Sequence, residues 1–246
     1  MWGFFKAKDM GIDLGTANTL IYVKDTGIVL NEPSVIAVDA DSSKILAVGI
    51  EAKAMLGKSP RNISVIRPLQ DGVISDFDKT ADMLRTFIER AMGQKKMRNY
   101  RVAVGVPTGV TEVEKRAVEE VVRQMGATEV YILEEPMAAA IGAGLPVDGT
   151  TGCMIADIGG GTTDVAIIAL GGVVASTSIR HAGDKFNEAI IQYIRKRHAL
   201  LIGDRTAEEL KINIGCACMD EDEFGNEIIK TMNARGRAII PGPPKT

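Results

Sequence analysis

The stretches MGIDLGTANTLIYV (residues 10–23) and MIADIGGGTTDVAIIAL (residues 154–170) follow one scheme. Each runs through an apolar strand, an aspartate, one apolar residue, a glycine, a small polar turn and a second apolar strand. Asp13 and Asp157 hold corresponding places, 144 positions apart. A single Asp-x-Gly is common. Two in matching strand–turn–strand settings predict two related halves, each built around one such hairpin.

The turns themselves carry chemistry. Gly15, Thr16, Ala17 and Asn18 leave backbone N–H groups unobstructed and add hydroxyl and amide donors, the makings of an anion-binding concavity. Gly159, Gly160, Gly161, Thr162 and Thr163 offer the same with less side-chain bulk. Facing each other across a cleft, the two turns would clamp a polyphosphate from both sides. Asp13 and Asp157, at strand ends, then suit Mg²⁺, a hard cation commonly held by carboxylates through its water shell. This is not a Walker A loop, because GxxxxGK[ST] is absent and no helix is expected after either turn. Glu135, in Glu134-Glu135-Pro136, stands at a helix entry where a carboxylate can orient a water for attack on a γ-phosphate. Taken singly, each element also fits a bland reading: ordinary glycine hairpins, and an acid favoured at a helix N-terminus. Together they favour a nucleotide site. No Ser-His-Asp set, His cluster or Cys-His pair competes, and His181 and His198 read as structural or surface residues.

Working outward, Met10 to Val38 reads as strand, glycine turn, strand, turn, strand, with a further short strand over Ile45 to Val48. A helix is expected from about Asp78 to Met92, ended by Gly93. Arg101 to Val106 reads as a strand stopped by Pro107. Thr111 and Glu114 form the capping-box spacing of the next helix, with Val113, Ala117, Val121 and Met125 as its buried stripe and Gly126 as its end. Val130 to Leu133 is a strand, and Pro136 opens a short alanine-rich helix. Cys153 to Ile158, Asp164 to Leu170 and Val173 to Ser178 form a meander. Helices follow from near Asp184, marked by Phe186, Ala189, Ile190, Tyr193 and Ile194, and from Thr206 to Ile214. Pro241-Gly242-Pro243-Pro244 reads as a loop.

The chain has 246 residues, 46% hydrophobic and 25% charged, enough for one large or two modest globular domains. Its net charge of −3 gives no global positive field toward nucleic acid. Cys153, Cys216 and Cys218 form no CxxC pair, which argues against a zinc site or disulfide framework and suits a reducing cytoplasm. No apolar run approaches the roughly 20 residues of a membrane span.

These motifs, with LNEPSVIAV (30–38), IRPLQDGVISDF (66–77), VGVPTGVTEVEKRAV (104–118), EEPMAAAIGAGLPV (134–147) and AGDKFNEAI (182–190), resemble the MreB family of bacterial actin-like rod-shape proteins. The wider actin, sugar-kinase and heat-shock ATPase group would share the two hairpins but not EEPMAAAIGAG or LNEPSV. The resemblance implies an α/β, actin-like (ribonuclease H-like) two-domain ATPase fold with ATP and Mg²⁺ in a central cleft. The first domain would span 1–145, with a small inserted subdomain at about 32–66. The second would span 146–246, with a small subdomain at about 182–246.

By the same resemblance, Glu135 and Thr162 position the attacking water, and Asp13 and Asp157 serve the metal. Gly15 to Asn18 and Gly159 to Thr163 form the phosphate loops. Glu208, Glu209, Leu210 and Lys211, in AEELKINIG (207–215), match the segment that contacts the nucleoside. Family members polymerise with ATP into filaments at the inner face of the bacterial inner membrane and organise cell-wall elongation. Implied partners are thus the chain itself, the membrane and the wall machinery, with no nucleic acid, and the implied location is cytoplasmic and membrane-peripheral. ATP hydrolysis coupled to polymerisation is expected if the nucleotide site functions.

Two segments suit membrane contact on their own chemistry. Met1-Trp2-Gly3-Phe4-Phe5-Lys6, with Lys8, puts aromatics beside lysines, and Lys95-Lys96-Met97-Arg98 is a second apolar-basic stretch. The family pattern continues past Thr246, so an incomplete second domain and adenine pocket are expected, and INIGCACMDEDEFGNE departs from the pattern with its two cysteines. The alternatives are a phosphotransferase or chaperone-type ATPase on the same core, and a truncated remnant with impaired nucleotide binding.

Overall fold

The computed structural model describes residues 8–70, 72–93, 99–218 and 227–239. The chain divides into two compact units, Met1–Ala182 and Gly183–Thr246.

The first unit begins with β1 (Lys8–Leu14), β2 (Asn18–Val23) and β3 (Gly27–Pro33), an antiparallel meander. The sequence pattern suggested one strand from there to Val38. Instead the chain breaks at Ser34 and Val35, and β4 (Ile36–Asp39) enters another sheet with β5 (Ile45–Val48) and, later, β6 (Ile63–Ile66). The one-and-a-half-turn helix α1 (Ile50–Met55) covers that small sheet, its Ala52 meeting Val35, Ala37 and Ala47. A two-strand turn, β7 (Leu69–Gln70) and β8 (Val73–Ile74), follows.

Helix α2 (Phe77–Met92) starts on Asp76, whose carboxylate accepts from the Lys79 N–H at 3.0 Å. It ends at Gly93 in the left-handed region, φ 63°, which a residue without Cβ adopts cheaply. Next come β9 (Tyr100–Val106), α3 (Glu112–Gln124), β10 (Glu129–Glu134) and α4 (Glu135–Gly142). The Thr111–Glu114 capping box is present, closed in both directions. The buried stripe of α3 is Val118, Val121 and Val122, with Met125 at its C-cap; Val113, expected inside, is 78% exposed. Val113 sits in the first turn, before the helix reaches the sheet.

β9 joins β1 in parallel and β10 joins β9 in parallel, so the main sheet runs β3-β2-β1-β9-β10. One face of it is packed by Met83, Leu84, Phe87 and Ile88 of α2 and by Val118, Val121 and Val122 of α3. Fully burying such side chains contributes about 1.5–3 kcal/mol each, and this layer is the principal core.

β11 (Cys153–Ile158), β12 (Thr163–Ala169) and β13 (Gly172–Ile179) form a second antiparallel meander. Its inner face, with Ala166 and Ile168, packs on Ala140 of α4. Its outer face is apolar yet open: Met154 is 68% exposed and Ile158 62%, with Ile167 and Val174 also exposed. Among the described residues β11 has no strand on its outer side.

The second unit holds α5 (Gly183–His198), β14 (Leu200–Leu201), α6 (Asp204–Ile214) and β15 (Arg237–Ala238). Leu200, Ile202, Ala207 and Leu210 make its core with Ile190, Ile191 and Ile194. Phe186 and Tyr193, read from sequence as part of the helix's apolar face, are exposed. The expected loop at Pro241–Pro244 lies outside the described residues.

Candidate functional site

The two repeated hairpins share a register as well as a sequence scheme. Asp13 pairs with Leu20 across the first, and Asp157 with Asp164 across the second, the same seven-residue step in each. Gly15 is required by its turn, since a Cβ there would stand 2.8 Å from the Asn18 carbonyl. Behind the first turn, the Ser34 hydroxyl donates to the Gly15 carbonyl at 2.6 Å, and the Ser34 N–H donates to the Ala17 carbonyl at 3.0 Å. In the second turn the Gly159 N–H donates to the Thr162 carbonyl at 2.9 Å. The Thr163 hydroxyl is spent on the His181 carbonyl at 2.7 Å.

The turns abut. A Cβ on Gly160 would lie 2.6 Å from the Ala17 Cβ and 3.2 Å from the Ala17 nitrogen, so only a glycine allows this approach. Gly72, in the β7–β8 turn, rests on both. Its N–H donates to Thr16 Oγ1 at 3.2 Å, and a Cβ on it would meet Thr162 Cγ2 at 2.6 Å. Its φ of 73° also favours glycine. Nothing in the local sequence assigned this role to Gly72, and the contact joins residues 56 positions apart.

Asp13, Glu135 and Asp157 line one cavity of about 440 Å³, floored by Gly11 and Gly105 and flanked by Ala138 of α4. Burial pushes the Asp13 carboxyl above the ordinary range, and the Asp157 charge adds to this. Asp157 is raised by burial and then by Asp164. Glu135 is raised to about 8, by burial first and then by Asp13, Asp157 and Asp164. Its place at the first turn of α4 should favour the ionised form, but a helix terminus contributes only about 0.3–1 kcal/mol. Burial and three neighbouring acids outweigh that.

Two carboxylate oxygens are buried with no hydrogen-bond partner, Glu135 Oε1 and Asp164 Oδ1. Among the described residues none of the four acids forms an ion pair, and no three carboxylate, His or Cys side chains converge tightly enough to cage a metal directly. Uncompensated negative charge at a glycine-lined cleft fits a cation that keeps much of its water, as Mg²⁺ does. The arrangement thus offers two abutting glycine turns and, beside them, a cavity lined by the three acids Asp13, Glu135 and Asp157.

The remaining candidates belong to other elements. Glu208, Glu209, Leu210 and Lys211 are on α6 in the second unit. There Leu210 is core, Glu209 pairs with Arg205 at 2.9 Å and Lys211 Nζ donates to the Gly183 carbonyl at 2.9 Å. His181 and His198 are exposed, as are Cys216 and Cys218, while Cys153 is half-buried. The segments Met1–Lys6 and Lys95–Arg98 lie outside the described residues; Lys8 stands over the Tyr100 ring at 5.8 Å. No helix among the described residues is long and apolar enough to cross a membrane. Asp164 was not singled out in sequence. The available signal was that aligning the two hairpins sets an acid there against Leu20.

Comparison with known proteins agrees with this architecture. The MreB/Mbl protein family model matches residues 7–246. The chain is 52% identical over 244 residues to the cell shape-determining protein MreB of Escherichia coli (strain K12), covering 97% of this chain and 69% of that protein. It is 49% identical over 240 residues to the cell shape-determining protein Mbl of Bacillus subtilis (strain 168), covering 98% and 70%. The crystal structure of MreB5 of Spiroplasma citri bound to AMPPNP superposes with a TM-score of 0.85 at 40% identity, over 97% of this chain and 70% of that one. The fold is the actin-like α/β architecture.

Proposed function

Since the chain belongs to the MreB/Mbl family, we propose that it is an actin-like cytoskeletal shape protein that binds and hydrolyses ATP with Mg²⁺ and assembles into filaments. The observation that carries the nucleotide reading is the contact of Gly160 with Ala17, which brings two donor-rich turns together beside the cavity shared by Asp13 and Asp157. The binding of AMPPNP by the Spiroplasma citri relative supports it.

In this reading backbone N–H groups of the two turns, residues 15–18 and 159–163, hold the phosphates, apart from the Gly159 N–H, which is spent on the Thr162 carbonyl. Asp13 and Asp157 hold the hydrated cation, which when bound neutralises phosphate charge. Glu135 and Thr162 orient the attacking water, and the closed glycine turns keep other water from the phosphates. Residues 208–211 are assigned to the nucleoside by family resemblance, as are the division into domains near residue 145, membrane-peripheral assembly and partnership with the wall-elongation machinery. A filament would sum many weak membrane contacts, so short basic-aromatic segments suffice where a monomer would detach.

The test is titration of the chain with fluorescently labelled ATP, with and without Mg²⁺, followed by sedimentation with ATP on anionic liposomes. Saturable Mg²⁺-dependent binding and ATP-dependent co-sedimentation are expected. A flat titration would remove the nucleotide reading, and binding without assembly would remove the filament reading alone.

A further inference from the structure

Cys216 and Cys218 stand two residues apart, just past the end of α6, and the proposed nucleotide chemistry uses neither. Both side chains are exposed. The third thiol gives the contrast. Cys153 is half-buried on β11, and its Sγ donates to the Ile168 carbonyl at 3.5 Å. A thiol exchanges with a soluble partner as its thiolate and in reach of solvent, so accessibility separates the pair from Cys153.

Spacing decides what the pair can do. Cα atoms two residues apart are at most about 7 Å from each other. The chain bends at Ala217 and Cys218, which brings the two nearer than full extension. A disulfide spans about 4.4–6.8 Å between Cα atoms, so each cysteine falls within bonding reach of the other. The backbone before them is anchored, because the Gly215 N–H donates to the Lys211 carbonyl at 3.1 Å and closes α6. A Cβ on Gly215 would collide with that carbonyl oxygen, so the helix ends this tightly only on a glycine. Metal binding is the competing use of two thiols. A structural zinc takes four ligands, and among the described residues no three His, Cys, Asp or Glu side chains gather to hold a metal.

We propose that Cys216 and Cys218 form a reversible dithiol–disulfide site whose co-reactant is a low-molecular-weight disulfide of the glutathione type. The site stands independently of the nucleotide reading. One thiolate attacks a sulfur of the small disulfide, which forms a mixed disulfide and releases one small thiolate to take up a proton. The neighbouring thiolate then attacks the protein sulfur of that mixed disulfide, which closes the Cys216–Cys218 bond and releases the second small thiol. The protein gives up two electrons and two protons, and the small disulfide takes them up as two thiols. Excess small thiol runs both steps backwards. In reducing compartments such bonds are usually transient and sensing rather than structural, which suits an exposed pair at a helix end.

The experiment treats the reduced full chain, Cys216→Ser and Cys218→Ser with glutathione disulfide. Its concentration is about 0.1 mM, below the millimolar effective concentration of a tethered neighbouring thiol. Intact mass and peptide mapping read the products. The unsubstituted chain should lose two hydrogens across Cys216 and Cys218, and dithiothreitol should restore them. Each serine variant should stop at one bound glutathione, and the unsubstituted chain should retain at least about tenfold less bound glutathione than either. A glutathione retained on both thiols of the unsubstituted chain overturns the proposal, as does failure of both thiols to react. A disulfide-linked dimer on a non-reducing gel overturns it too, by placing the second thiol on another copy.

Discussion

Replacing Glu135 by glutamine isolates the electrostatic strain of the cleft. The folded-state pKa is about 8 against an ordinary 4.5. Each tenfold difference in proton affinity corresponds to about 1.4 kcal/mol, so a fully ionised Glu135 costs the fold about 5 kcal/mol at high pH. The sign follows from proton binding. Between pH 4.5 and about 8 the folded state holds a proton that the unfolded state has released, so this group makes stability fall as pH rises through that window and leaves it level outside. At pH 7 the penalty is about 3 kcal/mol. Glutamine has the same shape and cannot ionise, so Glu135→Gln should match the unsubstituted chain near pH 4.5 and be more stable at pH 8. For a chain of this size 1 kcal/mol moves the thermal midpoint by about 2–4 °C. The midpoint difference should therefore open from near zero to about 10 °C or more across the window. Calorimetry or far-ultraviolet dichroism melts of the nucleotide-free protein from pH 4.5 to 8.5 measure it. Parallel melting profiles for the two proteins would refute the reasoning, and a difference that closes as pH rises would show the sign to be wrong.

Three further outcomes follow from the geometry. Gly160→Ala should weaken ATP binding at least about tenfold by prising the turns apart, and Ala17→Gly in the same chain should restore most of it, since the clash is between the two Cβ atoms at 2.6 Å; titration of both variants with labelled ATP decides. Asp13→Asn should cut the Mg²⁺-dependent gain in ATP affinity by at least about tenfold while leaving binding without Mg²⁺ unchanged or tighter, because a charge facing phosphate has been removed. Thr111→Ala should cost about 1 kcal/mol in denaturant unfolding by opening the capping box, with no effect on ATP affinity.

How much of this was readable from sequence depended on range. The helix limits at Gly93 and at Thr111–Glu114 were legible because a left-handed glycine and a capping box are chemistry within four residues. The paired hairpins were legible because the scheme around Asp13 is written again around Asp157. The six-residue α1 and the two-residue strands β7, β8, β14 and β15 were not, since nothing so short completes a period. Val113 shows the opposite error. It fits the helical stripe, but tertiary placement sets where the stripe begins to touch the sheet. At the site, the acids and glycines could be named as types, yet Gly72 against Thr16 and the isolation of Asp164 arise only when distant segments meet. The unusual Glu135 is likewise a property of four acids from separate parts of the chain.

The edge position of β11 among the described residues and the greasy outer side of its meander have a practical consequence for any assembly measurement. An edge strand bordering exposed methionine and isoleucine is a template on which a second molecule can zip, strand to strand. Such stickiness grows with protein concentration and is indifferent to whether ATP is present. Turbidity that survives removal of ATP therefore reports this zipping, and only the reversible fraction counts as cytoskeletal polymer.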